Sequence, residues 1–213
     1  DLILTPVSKS VTHTNAVKDA IAGGSRGIML TAFVPEQLIS GGIYTDFDAQ
    51  RPLCEKVAGL LEEARTAKLT TPAGTNLVMD LTGRKGNAHP GIARKPGEFT
   101  TVPNIESSTS PVEGTSEGIL VGDGSIPYYD IGVLREPIFM TVRQGKVNDI
   151  KGGAQAETIS GLMAAQKDPN VYNIAQLAFG LNPRCKMSGV MLDDEGVYGT
   201  AHIGIGTSTL LGG

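Results

Sequence analysis

The sequence predicts an α/β fold in its first part and a mixed α+β fold in its second, and three observations carry that expectation. Strand-like and helix-like segments alternate from Leu2 to Leu38. Gly, Pro, Arg and Lys then punctuate a long stretch from Leu81 to Asn104. Beyond it, short apolar strands and tight turns surround one well-marked helix. The change of character at Thr70 sets the expected boundary. Residues 1–69 read as the C-terminal part of a small parallel α/β domain, and residues 70–213 as a larger mixed-sheet domain truncated at its C-terminus. The chain opens on Asp1 inside an apolar strand and closes on Gly212-Gly213, so a fragment is expected.

Taken in order, Leu2-Ile3-Leu4 is a short buried strand, and Thr14 and Asn15 cap a helix from Ala16 to Ala22 that Gly23-Gly24 ends. The apolar run Gly27 to Phe33 follows at once, and Pro35-Glu36-Gln37-Leu38 has the form of a helix's opening turn. Strand, helix, strand, helix implies a parallel sheet. A longer amphipathic helix is predicted from Gln50 to Ala67, with Leu53, Val57, Leu60 and Leu61 on one face. Pro72 to Asn76 forms a turn into the strand Leu77 to Asp80, and the next 24 residues read as a long loop. Gly118 to Val121 is a strand closed by Gly122-Asp123-Gly124. Ile138 to Val142 and Val147 to Ile150 pair as a hairpin across Gln144-Gly145-Lys146. A helix from Ala154 to Ala165, the segment Asn173 to Phe179 and the run Ala201 to Ile205 complete the reading.

Bulk properties exclude several functions. With 213 residues, 40% of them hydrophobic, the chain can bury a sizeable core. Its formal net charge of -4 and its scattered Lys and Arg residues leave no basic field for a phosphate backbone, so nucleic acid is not an expected partner. Cys54 and Cys185 lie far apart and outside any CxxC pattern, which points away from disulfides and thiolate metal sites and toward a reducing cytoplasm. No apolar run reaches the roughly 20 residues that span a bilayer, so no membrane association is expected. HExxH, GxSxG and the Walker loop are all missing.

Few side chains remain to carry chemistry. The histidines are His13, His89 and His202. His13 precedes a helix and suits a capping role; His89, beside Pro90 in the basic loop, suits either solvent or a substrate contact. His202 starts an apolar, Gly-spaced strand, where a ring needs a hydrogen-bond partner or a metal. Glu106, in Asn104-Ile105-Glu106-Ser107-Ser108-Thr109-Ser110-Pro111, is flanked by small hydroxyl residues that leave room for a hard metal ligand or general base; Glu113 and Glu117 follow. Each of these carboxylates also fits the simpler part of capping a turn.

Several ordered phrases then resemble the aminopeptidase T family of metallopeptidases. These are Ile105-Glu106 through Pro111-Val112-Glu113-Gly114-Thr115-Ser116-Glu117-Gly118, then Ala178-Phe179-Gly180-Leu181-Asn182-Pro183, and Gly199-Thr200-Ala201-His202-Ile203-Gly204-Ile205-Gly206. The resemblance implies a metal-binding second domain in which Glu106 and His202 hold a divalent ion (Zn, Co or Mn). Gln176 stands where the family has a glutamate ligand, and an amide binds a divalent cation more weakly than a carboxylate. The family's tyrosine falls near Thr209, and its downstream His-x-Asp pair lies past Gly213.

The activity so implied is metal-dependent hydrolysis of a peptide or small-molecule amide. In it Glu106 and Glu113 are catalytic, Glu106, Gln176 and His202 hold the metal, and Arg84 and His89 meet the substrate. A homodimer or higher homo-oligomer is expected. The same fold is shared with the iron-dependent 2,5-dihydroxypyridine dioxygenase, which has histidine where Gln176 stands and lacks counterparts of Glu106 and His202. A ring-cleaving Fe(II) dioxygenase is therefore the alternative, and a metal-free binding or assembly fragment the third.

Overall fold

A computed structural model describes residues 1–12 and 14–208. In chain order its elements are β1 (Leu2–Val7), α1 (Asn15–Ala22), β2 (Arg26–Thr31), α2 (Phe47–Glu63), β3 (Thr66–Thr70), β4 (Asn76–Asp80), β5 (Asn87–His89), β6 (Phe99–Thr101) and β7 (Glu106–Thr109). Then come β8 (Glu117–Gly122), β9 (Ser125–Ile126), β10 (Gly132–Val133), β11 (Ile138–Arg143), β12 (Lys146–Lys151), α3 (Ala154–Ala165), β13 (Ile174–Gly180), α4 (Met191–Asp194) and β14 (Ala201–Ile205). The protein is mixed α/β, with several sheets and few helices, as the sequence predicts. It divides into two compact units interleaved along the chain. One takes Asp1–Val57, Asn87–Ser107 and Phe179–Ala201, the other Ala58–Gly86, Ser108–Ala178 and His202–Gly213.

The first unit holds the parallel sheet that strand-helix alternation predicts. Its order is β1-β2-β6, with Leu4 opposite Ile28 and Ile28 opposite Thr100. Thr14 caps α1 by accepting from the Val17 N–H, and Gly24, at φ 91°, lets the chain turn back into β2 at no steric cost. Pro35–Leu38 is a single 3₁₀ turn and does not grow into a helix, because the chain goes straight into a second 3₁₀ turn at Gly41–Tyr44. Part of the core is a cluster of Cys54, Ile105 and Leu181, against which Phe47, Leu53, Val57 and Ala88 pack.

The second unit holds an antiparallel sheet in the order β12-β11-β8-β4-β3. Alternation does the building: Leu77, Met79, Leu120, Met140 and Val142 point inward while Val78, Ile119 and Phe139 face out. Each inward side chain contributes roughly 1.5–3 kcal/mol by leaving water. The predicted hairpin is β11 and β12, joined by Gln144 and Gly145, whose φ values of 50° and 71° give the left-handed pair that a two-residue turn needs. Helix α3 matches its predicted bounds and packs on β12 through a face that includes Ala156, Ile159 and Met163.

Two expectations are corrected. The long helix begins at Phe47 and stops at Glu63, short of Ala67, because Thr66–Thr70 pairs with β4 and sets Ala67 opposite Met79 and Leu69 opposite Leu77. The stretch from Leu81 to Asn104 is not one loop, since it contains β5 and β6, and Glu106 lies on a strand and not in a turn.

Candidate functional site

Glu106 opens β7, a strand whose four residues are all buried despite the polar sequence Glu-Ser-Ser-Thr. Such a strand is stable in the interior only when its polar atoms are paired. In the first unit the Cys54 thiol donates to the Glu106 carbonyl at 3.1 Å, and the Ser107 hydroxyl donates to the Cys54 carbonyl at 2.7 Å. Glu106 is 7% exposed as a residue, and its carboxylate accepts at Oε2 from the Asn104 amide at 3.0 Å. The same Nδ2 lies 3.5 Å from Oε2 of Glu195, just beyond α4. Asn182 fixes the backbone behind this group. Fully buried, it donates to the carbonyls of Gly42 (3.1 Å) and Pro103 (2.7 Å) and accepts from the Thr45 hydroxyl and the Arg184 N–H.

Two buried thiols and several polar side chains lie in the same unit. Burial pushes both the Cys54 and the Cys185 thiol up, so neither is a thiolate at neutral pH. Burial also raises Asp193, and the hydrogen bond from the Gln37 amide, at 2.8 Å, offsets part of that. Asp194 is a structural carboxylate that accepts the N–H groups of Ser188 and Gly189. His89, at the end of β5, sets its half-buried ring against Phe99, with centroids 6.1 Å apart and planes tilted by 54°.

In the second unit, Gln176 on β13 and His202 on β14 are both half-buried. The Gln176 side chain lies over Gly204. A Cβ there would stand 2.8 Å from the Cβ of Gln176 and 3.1 Å from its Oε1, so only glycine leaves the amide its place. Arg84 and Glu113 meet each other. Arg84 Nη2 donates to Glu113 Oε2, and the Ser208 hydroxyl donates to Glu113 Oε1 at 2.5 Å. These bonds, that from Ser208 foremost, hold the Glu113 carboxyl below the usual carboxylate range. A carboxylate already engaged at both oxygens and kept ionised is a poor general base, which tells against the catalytic role expected of Glu113. It also engages Arg84, the cation expected to meet substrate.

The site residues therefore fall in both units: Glu106 and His89 in the first, Arg84, Glu113, Gln176 and His202 in the second. His13 and the position near Thr209 lie outside the described residues. Among the described residues, no three His, Cys, Asp or Glu side chains gather into a group that could hold a metal ion. These residues thus do not by themselves fit a resident metal. Also among them, no helix is long and apolar enough to cross a membrane. Sequence reasoning missed Asn104 and Glu195. Asn104 sits in the quoted phrase around Glu106, but an asparagine there reads as a turn residue; Glu195, in Asp193-Asp194-Glu195-Gly196, reads as solvated charge.

Comparison with known proteins overturns the hydrolase reading. The model of the family described as "NicX: 2,5-dihydroxypyridine 5,6-dioxygenase" matches residues 1–196. A curated 2,5-dihydroxypyridine 5,6-dioxygenase from Pseudomonas putida is 28% identical over 213 aligned positions, which cover 94% of this chain and 59% of the relative. The solved structure of the Pseudomonas putida 2,5-dihydroxypyridine dioxygenase superposes with a TM-score of 0.83 at 26% identity, covering all of this chain and 62% of that one. Wild-type AmpT from Thermus thermophilus superposes with a TM-score of 0.68 at 17% identity over 98% of this chain and 63% of that one, a likeness of fold alone. The chain spans about three fifths of the length of the relatives it matches.

The expected metallopeptidase activity, a hydrolase and aminopeptidase chemistry, is therefore overturned. The physical reason lies in what the shared phrases do. Pro111 to Gly118 is a turn in which the Val112 N–H bonds the Asp80 carbonyl, and Gly118 sits so close to Asn76 that a Cβ would meet its carbonyl oxygen at 2.0 Å. Gly180 is confined in the same way against the carbonyl of Val197, and Asn182 is a backbone clamp. These phrases encode the fold, which two chemistries share.

Proposed function

Since the chain belongs to the NicX, 2,5-dihydroxypyridine 5,6-dioxygenase, family, we propose that it serves in oxidative ring opening of 2,5-dihydroxypyridine or a closely related hydroxylated N-heteroaromatic. The observation that carries this reading is the family match over residues 1–196, and the TM-score of 0.83 to a dioxygenase of that name supports it. The reaction joins one O2 to one ring and breaks the bond between ring carbons 5 and 6, with both oxygen atoms entering the product.

We assign the buried Glu106 carboxylate of the first unit to accept a hydrogen bond from a ring hydroxyl. A small aromatic substrate replaces the peptide expected from the withdrawn activity.

The test is turnover of 2,5-dihydroxypyridine by the purified protein, followed by loss of the ring's ultraviolet absorbance with Fe(II) supplied. Loss of absorbance in air and none under argon is the expected result. Equal loss in both, or none in either, contradicts the proposal.

A further inference from the structure

The two 3₁₀ turns between Pro35 and Thr45 invert the ordinary surface pattern. Their buried side chains are polar, Gln37 at 5% exposure and Thr45 at 8%, while the exposed ones include Leu38 at 61%, Ile39 at 75% and Tyr44 at 58%. Folding gains by taking apolar area out of water, so this segment gives up a gain that its neighbours collect. Single exposed apolar groups are commonplace; three large ones within seven residues make a patch.

The polar groups hold the segment from beneath. Gln37 accepts the Val34 N–H at 2.9 Å and donates to the Asp193 carboxylate at 2.8 Å. The Thr45 hydroxyl donates to Asn182 Oδ1, and Asn182 Nδ2 donates to the Gly42 carbonyl at 3.1 Å. Above them the Tyr44 hydroxyl donates to the Leu38 carbonyl at 3.3 Å and closes the loop. The apolar side chains thus stand on a backbone already ordered, and covering them freezes few further bonds.

The chain around Cys185 runs alongside. A Cβ on Gly42 would meet Cys185 Sγ at 2.5 Å, and one on Gly41 would stand 3.9 Å from the Arg184 carbonyl oxygen, which brings the exposed Arg184, Lys186 and Met187 to the patch. Among the described residues, neither of these cations nor the exposed Glu36 carboxylate has an ion-pair partner. All of these residues belong to the first unit.

We infer that a second copy of this chain docks on this face, in an isologous two-fold contact centred on Leu38, Ile39, Tyr44 and Met187. Charge selects that partner. The patch carries an acid, Glu36, on one segment and two cations, Arg184 and Lys186, on the other, and a two-fold axis sets each sign of one copy against the opposite sign of its mate. A partner of uniform charge would meet its own sign at one rim. The contact is independent of the ring-opening reaction.

The test is the mass of the whole protein in solution, by light scattering and sedimentation velocity across roughly 1–100 μM. The parent is expected to be a concentration-dependent dimer, and Ile39→Asp to raise its Kd about tenfold or more. Leu38→Ser takes its place should that variant melt below the parent. Glu36→Arg alone, and Arg184→Glu with Lys186→Glu, should each weaken the dimer by a similar factor, while all three changes together restore it to within about threefold of the parent. A parent that stays monomeric, its patch left to some other partner, overturns the inference. So does a dimer that the apolar and charge changes leave intact, which would put the contact on another face. A combined variant no tighter than the single reversals overturns the two-fold pairing.

Discussion

Two glutamates seven residues apart, Glu106 in the first unit and Glu113 in the second, show how differently one side chain can be employed. Glu106 is almost wholly buried, and its carboxylate accepts a hydrogen bond from the neutral amide of Asn104. Glu113 has a side chain 49% exposed, and both its oxygens are engaged, one by the Arg84 guanidinium and one by the Ser208 hydroxyl. The first carboxylate sits out of water beside a neutral donor. Engagement by a cation and a hydroxyl makes the second a clamp. The sequence and its resemblance led us to expect both residues in catalysis; their partners differ.

The sharpest way to break this contrast is to remove each charge in turn. Glu106→Gln is expected to lower turnover of 2,5-dihydroxypyridine by about a hundredfold or more, the scale of losing a preorganised charged contact. Glu113→Gln is expected to stay within about threefold of the parent, since it touches a clamp of modest energy. Equal losses in steady-state assays of the two variants would dissolve the distinction.

The scaffold behind Glu106 is the next test. Asn182→Ala removes a fully buried amide whose oxygen and nitrogen serve four partners, and is expected to destabilise the protein by about 3 kcal/mol or more in urea titration. Arg84→Ala, behind Glu113, is expected to cost only about 1 kcal/mol or less, because its ion pair is partly exposed. Its effect depends on pH. Glu113 in the folded protein titrates below its ordinary value of 4.5, so the pair's stabilisation is present above that value and fades as pH falls through the lower, folded one. Parent and Arg84→Ala stability curves should therefore converge toward acid and separate near neutrality.

The smallest effect has the opposite sign. Burial raises the Asp193 carboxyl above its ordinary 3.8, so the native state holds its proton longer than the unfolded chain and loses stability as pH rises through the folded value. Asp193→Asn is expected to raise the melting temperature slightly at pH 7, and by less at pH 4. A lower melting temperature at pH 7 would mean that the ionised form makes contacts worth more than its desolvation.

Much of the fold was legible because its elements obey simple periods. The bounds of α3, the β11–β12 hairpin with Gln144 and Gly145 at its turn, and the Thr14 cap all follow from local chemistry. What escaped was set by tertiary context. Strand β7 is buried through Glu-Ser-Ser-Thr, a sequence with no apolar alternation, and β5 and β6 are three residues each, too short to show a period. The end of α2 was overrun because its helical spacing continues past Glu63, while pairing of Ala67 with Met79 decides the outcome.

The candidate site was half legible in the same sense. Glu106 was singled out by its small hydroxyl neighbours and by the resemblance, whereas the approach of Asn104 to Glu195 spans about ninety residues, which no local pattern reveals. The resemblance to aminopeptidase T was read from phrases built on Gly118, Gly180 and Asn182. Close backbone approach at the two glycines and the side-chain hydrogen bonds of Asn182 serve the fold and are silent about the reaction.

Labelling with 18O2 tests the central claim most directly. Mass spectrometry of the product formed from 2,5-dihydroxypyridine in an 18O2 atmosphere should show both oxygen atoms incorporated, a gain of about 4 mass units over the product formed in ordinary oxygen. Incorporation of label from 18O-water instead, with none from the gas, would contradict it.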